Sequence, residues 1–517
     1  MMTPAAQRDG TGRYTRWLPL VIFVAATCIS LVRAPDVSYW TDEAASLSAA
    51  QRSLPELWAM LQNIDAVHGA YYALLHVWIT VFGSSPLATR SLNALAIGGT
   101  VLGVYFLTRR LIDPRAALVA AGIAATLPRL TWAGIEARPA AFTALCAVWA
   151  TVLLVRAWGR GAGAWAAYAV AAFFGITFNI YVALLVVAHA VTTLVLHRRQ
   201  RRILLGFAGA AVVVLVVAAP LLFLVRSQQA QLGTSGDRSL LGILRRAFIN
   251  MVFLGETPAS DGEPRWFTTS WQLASVAMAV MGIALVILAV IRRTWAAKPR
   301  ITESLALLVP WLVIPPAVIG VYSILAAPVF QPRYFTFVAP AAAILMTAGL
   351  LSLGRRWIQV SAATIYIALV LVVYTSQRTD AAKNGTDWQA AAALIAREAE
   401  PGDVIYFTPR YTYDGPLSHV TARRMAVAYP EAYEGLVDLT LLNTPADSAS
   451  LDGDSVKLED LATSLQEIDS LWVVSGTHYP QQIVAKDDAF LRASGFELTQ
   501  EWQGTRSVIA HYERPAP

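Results

Sequence analysis

The feature that most limits this chain is a series of apolar runs through about the first 375 residues, after which the runs stop. Crossing a bilayer takes roughly 20 mostly apolar residues in one helix, because only a helix pairs all its backbone groups within one segment. Eleven such spans are expected, at residues 17–33, 86–108, 116–133, 139–156, 163–179, 181–197, 203–225, 268–291, 303–324, 335–353 and 357–375. Composition agrees: 56% of the 517 residues are hydrophobic and 14% are charged, against about 25% charged in a soluble domain. The expected fold class is an α-helical polytopic membrane protein.

The net charge of +6 would by itself suit a nucleic-acid partner, but its distribution excludes one. Residues 380–517 hold 21 acidic and 10 basic side chains, which leaves 13 acidic and 30 basic before them. The basic residues cluster after alternate spans: Arg109, Arg110 and Arg115; Arg156 and Arg160; His197 to Arg202; Arg292, Arg293, Lys298 and Arg300; Arg355 and Arg356. All these clusters fall on the side of the N-terminus, which the positive-inside rule makes cytoplasmic. Acids such as Asp36, Asp42, Glu43, Glu56, Asp65 and Glu136 take the other side. Residues 1–16 are therefore expected in the cytoplasm and 17–379 as a membrane module of the plasma (inner) membrane. Its first external loop spans 34–85, with an interfacial helix at 71–82. A polar surface loop is expected at 226–267.

Residues 380–517 are expected to be an extracytoplasmic α/β domain, with a helix at 388–400 and strands at 404–407, 470–475 and 507–512. Asp452-Gly453-Asp454 reads as a surface loop. Cys28 and Cys146 lie inside apolar runs, so no disulfide framework is expected.

The chemistry-bearing residues gather in the external segments. Asp42-Glu43 puts two carboxylates just past the first span, where ionisable groups call for a reason. Asp65, His68, Tyr71 and Tyr72 follow in the same loop. Arg90, Glu136, Arg138 and the Gln331-Pro332-Arg333-Tyr334 stretch lie at later external edges. Arg90, Arg138 and Arg333 break the positive-inside trend, which suggests partners among acids or anionic ligands. Carboxylates, guanidiniums and aromatic rings beside lipid suit transfer from a lipid-linked phosphate: a carboxylate takes a proton and cations steady the departing phosphate. No Walker loop or dinucleotide glycine fingerprint occurs.

In that order these motifs resemble the C-type glycosyltransferase superfamily, in its protein-O-mannosyltransferase-like and aminoarabinose-transferase-like bacterial branch. The resemblance covers about residues 15–375. It rests on Asp42-Glu43, Asp65-x-x-His68 with Tyr71-Tyr72, Phe82-Gly83-Ser84 before Arg90, Glu136-Ala137-Arg138, and Arg333-Tyr334 followed by Pro340. Many relatives carry His-Pro-Pro where this chain has His68-Gly69-Ala70. The resemblance implies the C-type fold and inverting transfer of a sugar from a polyprenyl-phosphate donor to an acceptor hydroxyl on a glycan, glycolipid or protein. Asp42 would be the general base and Glu43 its neighbour, tuning charge or binding the acceptor. Glu136 would lie near the reacting centre, with Arg90, Arg138 and Arg333 toward the donor phosphate. Mannose is the first expectation for the sugar and arabinofuranose the second, since the Ala- and Arg-rich composition looks actinobacterial. A divalent metal is left open. A lipid-linked-sugar flippase is the alternative of another class.

Overall fold

The computed structural model describes residues 11–228, 238–255, 269–292, 300–380, 382–409, 422–477, 479 and 481–515. Helix α1 (Thr11–Leu31) leads to three helices in the first long loop: α2 (Thr41–Ala50), α3 (Leu54–Asn63) and α4 (Gly69–Phe82). Next come α5 (Pro86–Leu111), α6 (Pro114–Thr126), α7 (Pro128–Ala133), α8 (Ala140–Ala157), α9 (Ala162–Phe178), α10 (Ala183–His197) and α11 (Arg201–Ser227). The short α12 (Leu240–Arg245) and α13 (Met251–Phe253) are joined by a π turn. They are followed by α14 (Ser270–Ile291), α15 (Arg300–Leu325), α16 (Ala339–Leu351) and α17 (Arg356–Ser376).

Every expected span is helical, but the lengths differ. Among the described residues, eight helical stretches are long and apolar enough to cross a bilayer. The apolar part of α1, α6 and α9 are shorter than that measure. The stretch expected at 116–133 is split because Leu127 precedes Pro128 and takes an extended conformation (φ −63°, ψ 123°); a residue before proline is driven out of the helical region. The loop expected at 226–267 is partly helical, through α12 and α13. Residues 229–237 and 256–267 of it lie outside the described residues.

Helix starts follow local chemistry. The Ser85 side chain accepts from the amide of Ala88 with Pro86 in the first turn of α5, and Ser53 and Glu56 form a capping box at α3. Helix α16 is the centre of the bundle, with every residue from Ala339 to Leu350 buried. Helices α11 and α17 lie at the edge and turn residues such as Val213, Val216, Phe223 and Ile367 outward, as a lipid-facing wall would.

The core depends on one close approach. A Cβ at Gly349 of α16 would run into the carbonyl of Leu285 in α14. Small residues let membrane helices pack backbone to backbone. Gly349→Ala is expected to cost about 1–3 kcal/mol, read as a lower unfolding midpoint in detergent. An unchanged midpoint would contradict this packing.

After α17 the chain forms α18 (Trp388–Glu398), β1 (Val404–Phe407), α19 (Arg424–Ala428), β2 (Val437–Asp438), β3 (Leu441–Asn443), β4 (Asp454–Ser455), β5 (Ser470–Gly476), α20 (Gln481–Ala493), β6 (Glu497–Gln503) and β7 (Ser507–Glu513). The main sheet runs β2-β1-β5-β7-β6, with β1 parallel to β2 and β5, and with β7 antiparallel to β5 and β6. Alternate residues of a strand face opposite sides, and both sides are buried here. Ile405, Phe407, Trp472, Val474 and Ile509 pack with Trp388 and Ile395 of α18. Tyr406, Leu471, Val473, Ala510 and Tyr512 pack with Leu491 of α20. The first of these clusters also takes in Tyr39, Ala44 and Leu47, so the sheet layer rests directly on α2 and its approach.

Candidate active site

Helix α2 carries Asp42 and Glu43 in its first turn. Adjacent helical residues point in different directions, and the two carboxylates meet opposite environments. Glu43 is fully buried. Arg90 grips it with two bonds, Nε to Oε1 at 3.0 Å and Nη2 to Oε2 at 2.8 Å. Lys383 Nζ lies 2.6 Å from Oε2, and the Ala137 amide donates to Oε1 at 2.9 Å. Burial pushes the Glu43 carboxyl up, but Arg90 and Lys383 outweigh it and hold it below the usual range. Burial, followed by the Arg90 charge, lowers Lys383 to about 8.

The three remaining Arg90 donors go to the carbonyls of Ala34, Val37 and Ser38. All five Arg90 N–H groups are thus spent on the protein, and its side chain is 0% exposed. This corrects two expectations: Arg90 has no donor left for a phosphate, and Glu43 is closed to an acceptor. The pair is a clamp that fixes the chain leading into α2. Glu136 is also buried, at 2% exposure, in the turn after α7. It lies two residues before Arg138, which borders Asp42, but its own side chain does not open to solvent.

Asp42 is the carboxylate that opens outward, with 23% of its side chain exposed. Its Oδ2 lies 2.6 Å from Arg333 Nη1 and 4.0 Å from Arg138 Nη2. Burial raises its pKa, yet the two guanidiniums prevail and hold it at about 2. Arg333 is partly open (28%) and lies over the rings of Trp40 and Tyr334. Arg138 is held on several sides. Its Nη1 donates to the Asp42 carbonyl (3.3 Å), Ser46 Oγ (3.4 Å) and Tyr72 Oη (3.2 Å).

Arg138 Nη2 lies 3.0 Å from His68 Nε2. Arginine can only donate, so His68 Nε2 accepts and the ring proton sits on Nδ1. Burial, then the Arg138 charge, lowers His68 to about 3 and keeps it neutral. Tyr72 donates to Asp65 Oδ2 at 2.8 Å, and Asp65 adopts a left-handed backbone (φ 58°). Tyr71 donates to Asn93 Oδ1, while Asn93 Nδ2 donates to the carbonyls of Glu136 and Arg138 and so ties their turn to α5. Gln331 offers its carbonyl to the amide of Tyr334. The Tyr334 carbonyl accepts from Asn179, and its ring packs edge-on against Tyr181.

Asp42, His68, Tyr72, Arg138 and Arg333 therefore meet in one place. Sequence reasoning missed Lys383, Arg424 and Asp452. Lys383 broke the positive-inside trend just as Arg90 did, and that signal was there to use. Asp452 is buried rather than on a surface loop, with both oxygens held by Arg424 at 2.5 and 2.7 Å. The same arginine reaches the Thr41 carbonyl at 3.5 Å, next to Asp42. No group of three or more His, Cys, Asp or Glu suited to a metal gathers among the described residues. Asp42 faces guanidiniums and Asp452 is taken by Arg424, so these residues do not fit a divalent ion.

Residues 70–223 match a family model described as dolichyl-phosphate-mannose-protein mannosyltransferase. The structure is similar to ArnT from Cupriavidus metallidurans bound to undecaprenyl phosphate, with a TM-score of 0.57, 14% identity, and 95% of this chain and 97% of that chain covered. The apo state of that protein gives the same score and identity over 97% and 98%. The arabinofuranosyltransferase AftD from Mycobacteria aligns with a TM-score of 0.52 at 16% identity, over 96% of this chain and 40% of that one. No curated protein matches by sequence. The chain therefore shares the fold of ArnT and of AftD over nearly its whole length.

Proposed function

We propose that the chain transfers a sugar, mannose in the first instance, from a polyprenyl-phosphate donor to an acceptor hydroxyl on the extracytoplasmic face of the plasma membrane. The acceptor is a glycan, glycolipid or protein. The observation that carries this reading is the outward-facing Asp42 carboxylate between Arg138 and Arg333. The charge pattern of the loops supports an N-terminus inside and residues 380–517 outside. The family match over 70–223 supports mannose, and the AftD likeness keeps arabinofuranose as the second sugar.

In the proposed step Asp42 takes the proton of the acceptor hydroxyl. The freed oxygen attacks the anomeric carbon as the bond to the lipid phosphate breaks, which inverts the centre. The leaving phosphate gains negative charge, and Arg333, the more open guanidinium, meets it bidentately. The same contact draws Arg333 away from Asp42 and restores its basicity, so donor binding readies the base.

The pH dependence follows from the depressed carboxylate. Asp42 stays ionised down to about pH 2, and its stabilising ion pair is lost only as pH falls through that value. Arg333→Gln removes the strongest cation on Asp42. The acid limb of kcat/KM is then expected to move to higher pH, together with a raised KM for the donor. A limb that stays in place while KM rises would remove Arg333 from the base's environment. The assay is transfer of radiolabelled sugar from polyprenyl phosphate by purified protein. Donor that crosses proteoliposomes unconsumed would favour a flippase.

A further inference from the structure

Helices α5 and α8 both begin at the site, beside Arg90 and Arg138. The helical rise over the 26 residues of α5 and the 18 residues of α8 places their far ends about 39 Å and about 27 Å from their starts. There the two helices border a cleft of about 420 Å³ with Phe106, Leu107, Val152 and Val155 as its floor and Arg110, Arg156 and Arg160 at its rim. None of these three arginines has a side-chain hydrogen bond or ion pair with a described residue. Asp113, in the same turn as Arg110, instead accepts from the amides of Arg115 and Ala116 at the start of α6.

We propose that this cleft binds the headgroup of a phospholipid with two phosphates, of the cardiolipin class, from the leaflet at that end. Topology alone accounts for basic residues at this end of the bundle, but not for their convergence on an apolar-floored cleft. Three guanidiniums with no protein anion match two phosphates, and each fork can hold a phosphate bidentately. The floor suits the first methylenes of the acyl chains, and basic clefts between membrane helices on this side are suited to such headgroups. The volume falls in the range of about 300–1,000 Å³ typical of small-ligand sites.

The test is native mass spectrometry of the full chain in detergent, titrated with tetraoleoyl cardiolipin or dioleoyl phosphatidylcholine. Cardiolipin adducts are expected at concentrations at least ~10-fold lower than phosphatidylcholine adducts. The triple variant R110Q/R156Q/R160Q should lose that preference, and R198Q/R199Q/R201Q, which alters a basic turn outside the cleft, should keep it. Gly159 also lines the cleft, and its Cβ direction is open. Gly159→Trp narrows the cleft with every charge retained, and should also weaken cardiolipin binding; it carries the test if the triple variant fails to fold. Wild-type binding by Gly159→Trp would reduce the effect to surface charge and overturn the proposal. So would preference kept by the triple variant, or competition by millimolar inorganic phosphate.

Discussion

Asp42→Asn is expected to lower the rate of sugar transfer by about 10²–10⁴-fold, the usual contribution of a general base, while the protein stays folded. The amide is nearly the same shape as the carboxylate and can still accept from Arg333, whose Nη1 lies 2.6 Å from Asp42 Oδ2. It cannot take a proton at neutral pH. Asp42 is partly exposed, so the ion pair it gives up is a modest part of stability. Initial rates under saturating donor, set beside circular dichroism and unfolding midpoints, separate the two effects. A variant that folds and keeps full transfer would remove Asp42 from the base role.

The second large effect concerns Glu43, and it is one of stability. Glu43, Arg90 and Lys383 all have fully buried side chains. Glu43→Leu leaves two cations in the interior without their shared anion. Stranding a buried charge costs about 3–5 kcal/mol, a large fraction of the 5–15 kcal/mol that holds a typical domain together. Lys383→Met should cost less, because Arg90 keeps its two bonds to Glu43. Unfolding midpoints and protease sensitivity in detergent should therefore rank wild type above Lys383→Met, and Lys383→Met above Glu43→Leu. The reverse order would mean that Lys383, rather than Arg90, carries the Glu43 charge. The effect on Asp42 would be indirect: the clamp fixes the approach to α2, so a loosened clamp displaces the base.

The separate fates of Asp42 and Glu43 show how far the sequence could be read. Periodicity and length located a helix at each expected span, because a bilayer imposes one length and one polarity on each, but not the break at Leu127 or the short apolar lengths of α1, α6 and α9. The strands at 404–407, 470–475 and 507–512 were legible for a similar reason, as short apolar runs between turn residues. Strand β6 (Glu497–Gln503) was not, since most of its residues are exposed at the sheet edge. Exceptions to the positive-inside rule pointed to Arg90, Arg138 and Arg333, and all three do pair with acids. What linear order could not give was the direction of each side chain. Asp42 and Glu43 differ by one position, yet one opens outward and the other is sealed by Lys383, 340 positions later. The pairing of Arg424 with Asp452, and its reach to Thr41, likewise depends on how the sheet layer rests on α2. No local pattern encodes such a contact.

The central claim is that Asp42 drives transfer from a polyprenyl-phosphate sugar. The most direct test is a mass balance on purified protein in proteoliposomes, with radiolabel in both the lipid and the sugar of the donor. Wild type is expected to release polyprenyl phosphate in step with a glycoside of inverted configuration, and Asp42→Asn to release neither above background. Donor that is translocated intact, or glycoside formed equally well by the Asp42→Asn variant, would contradict it.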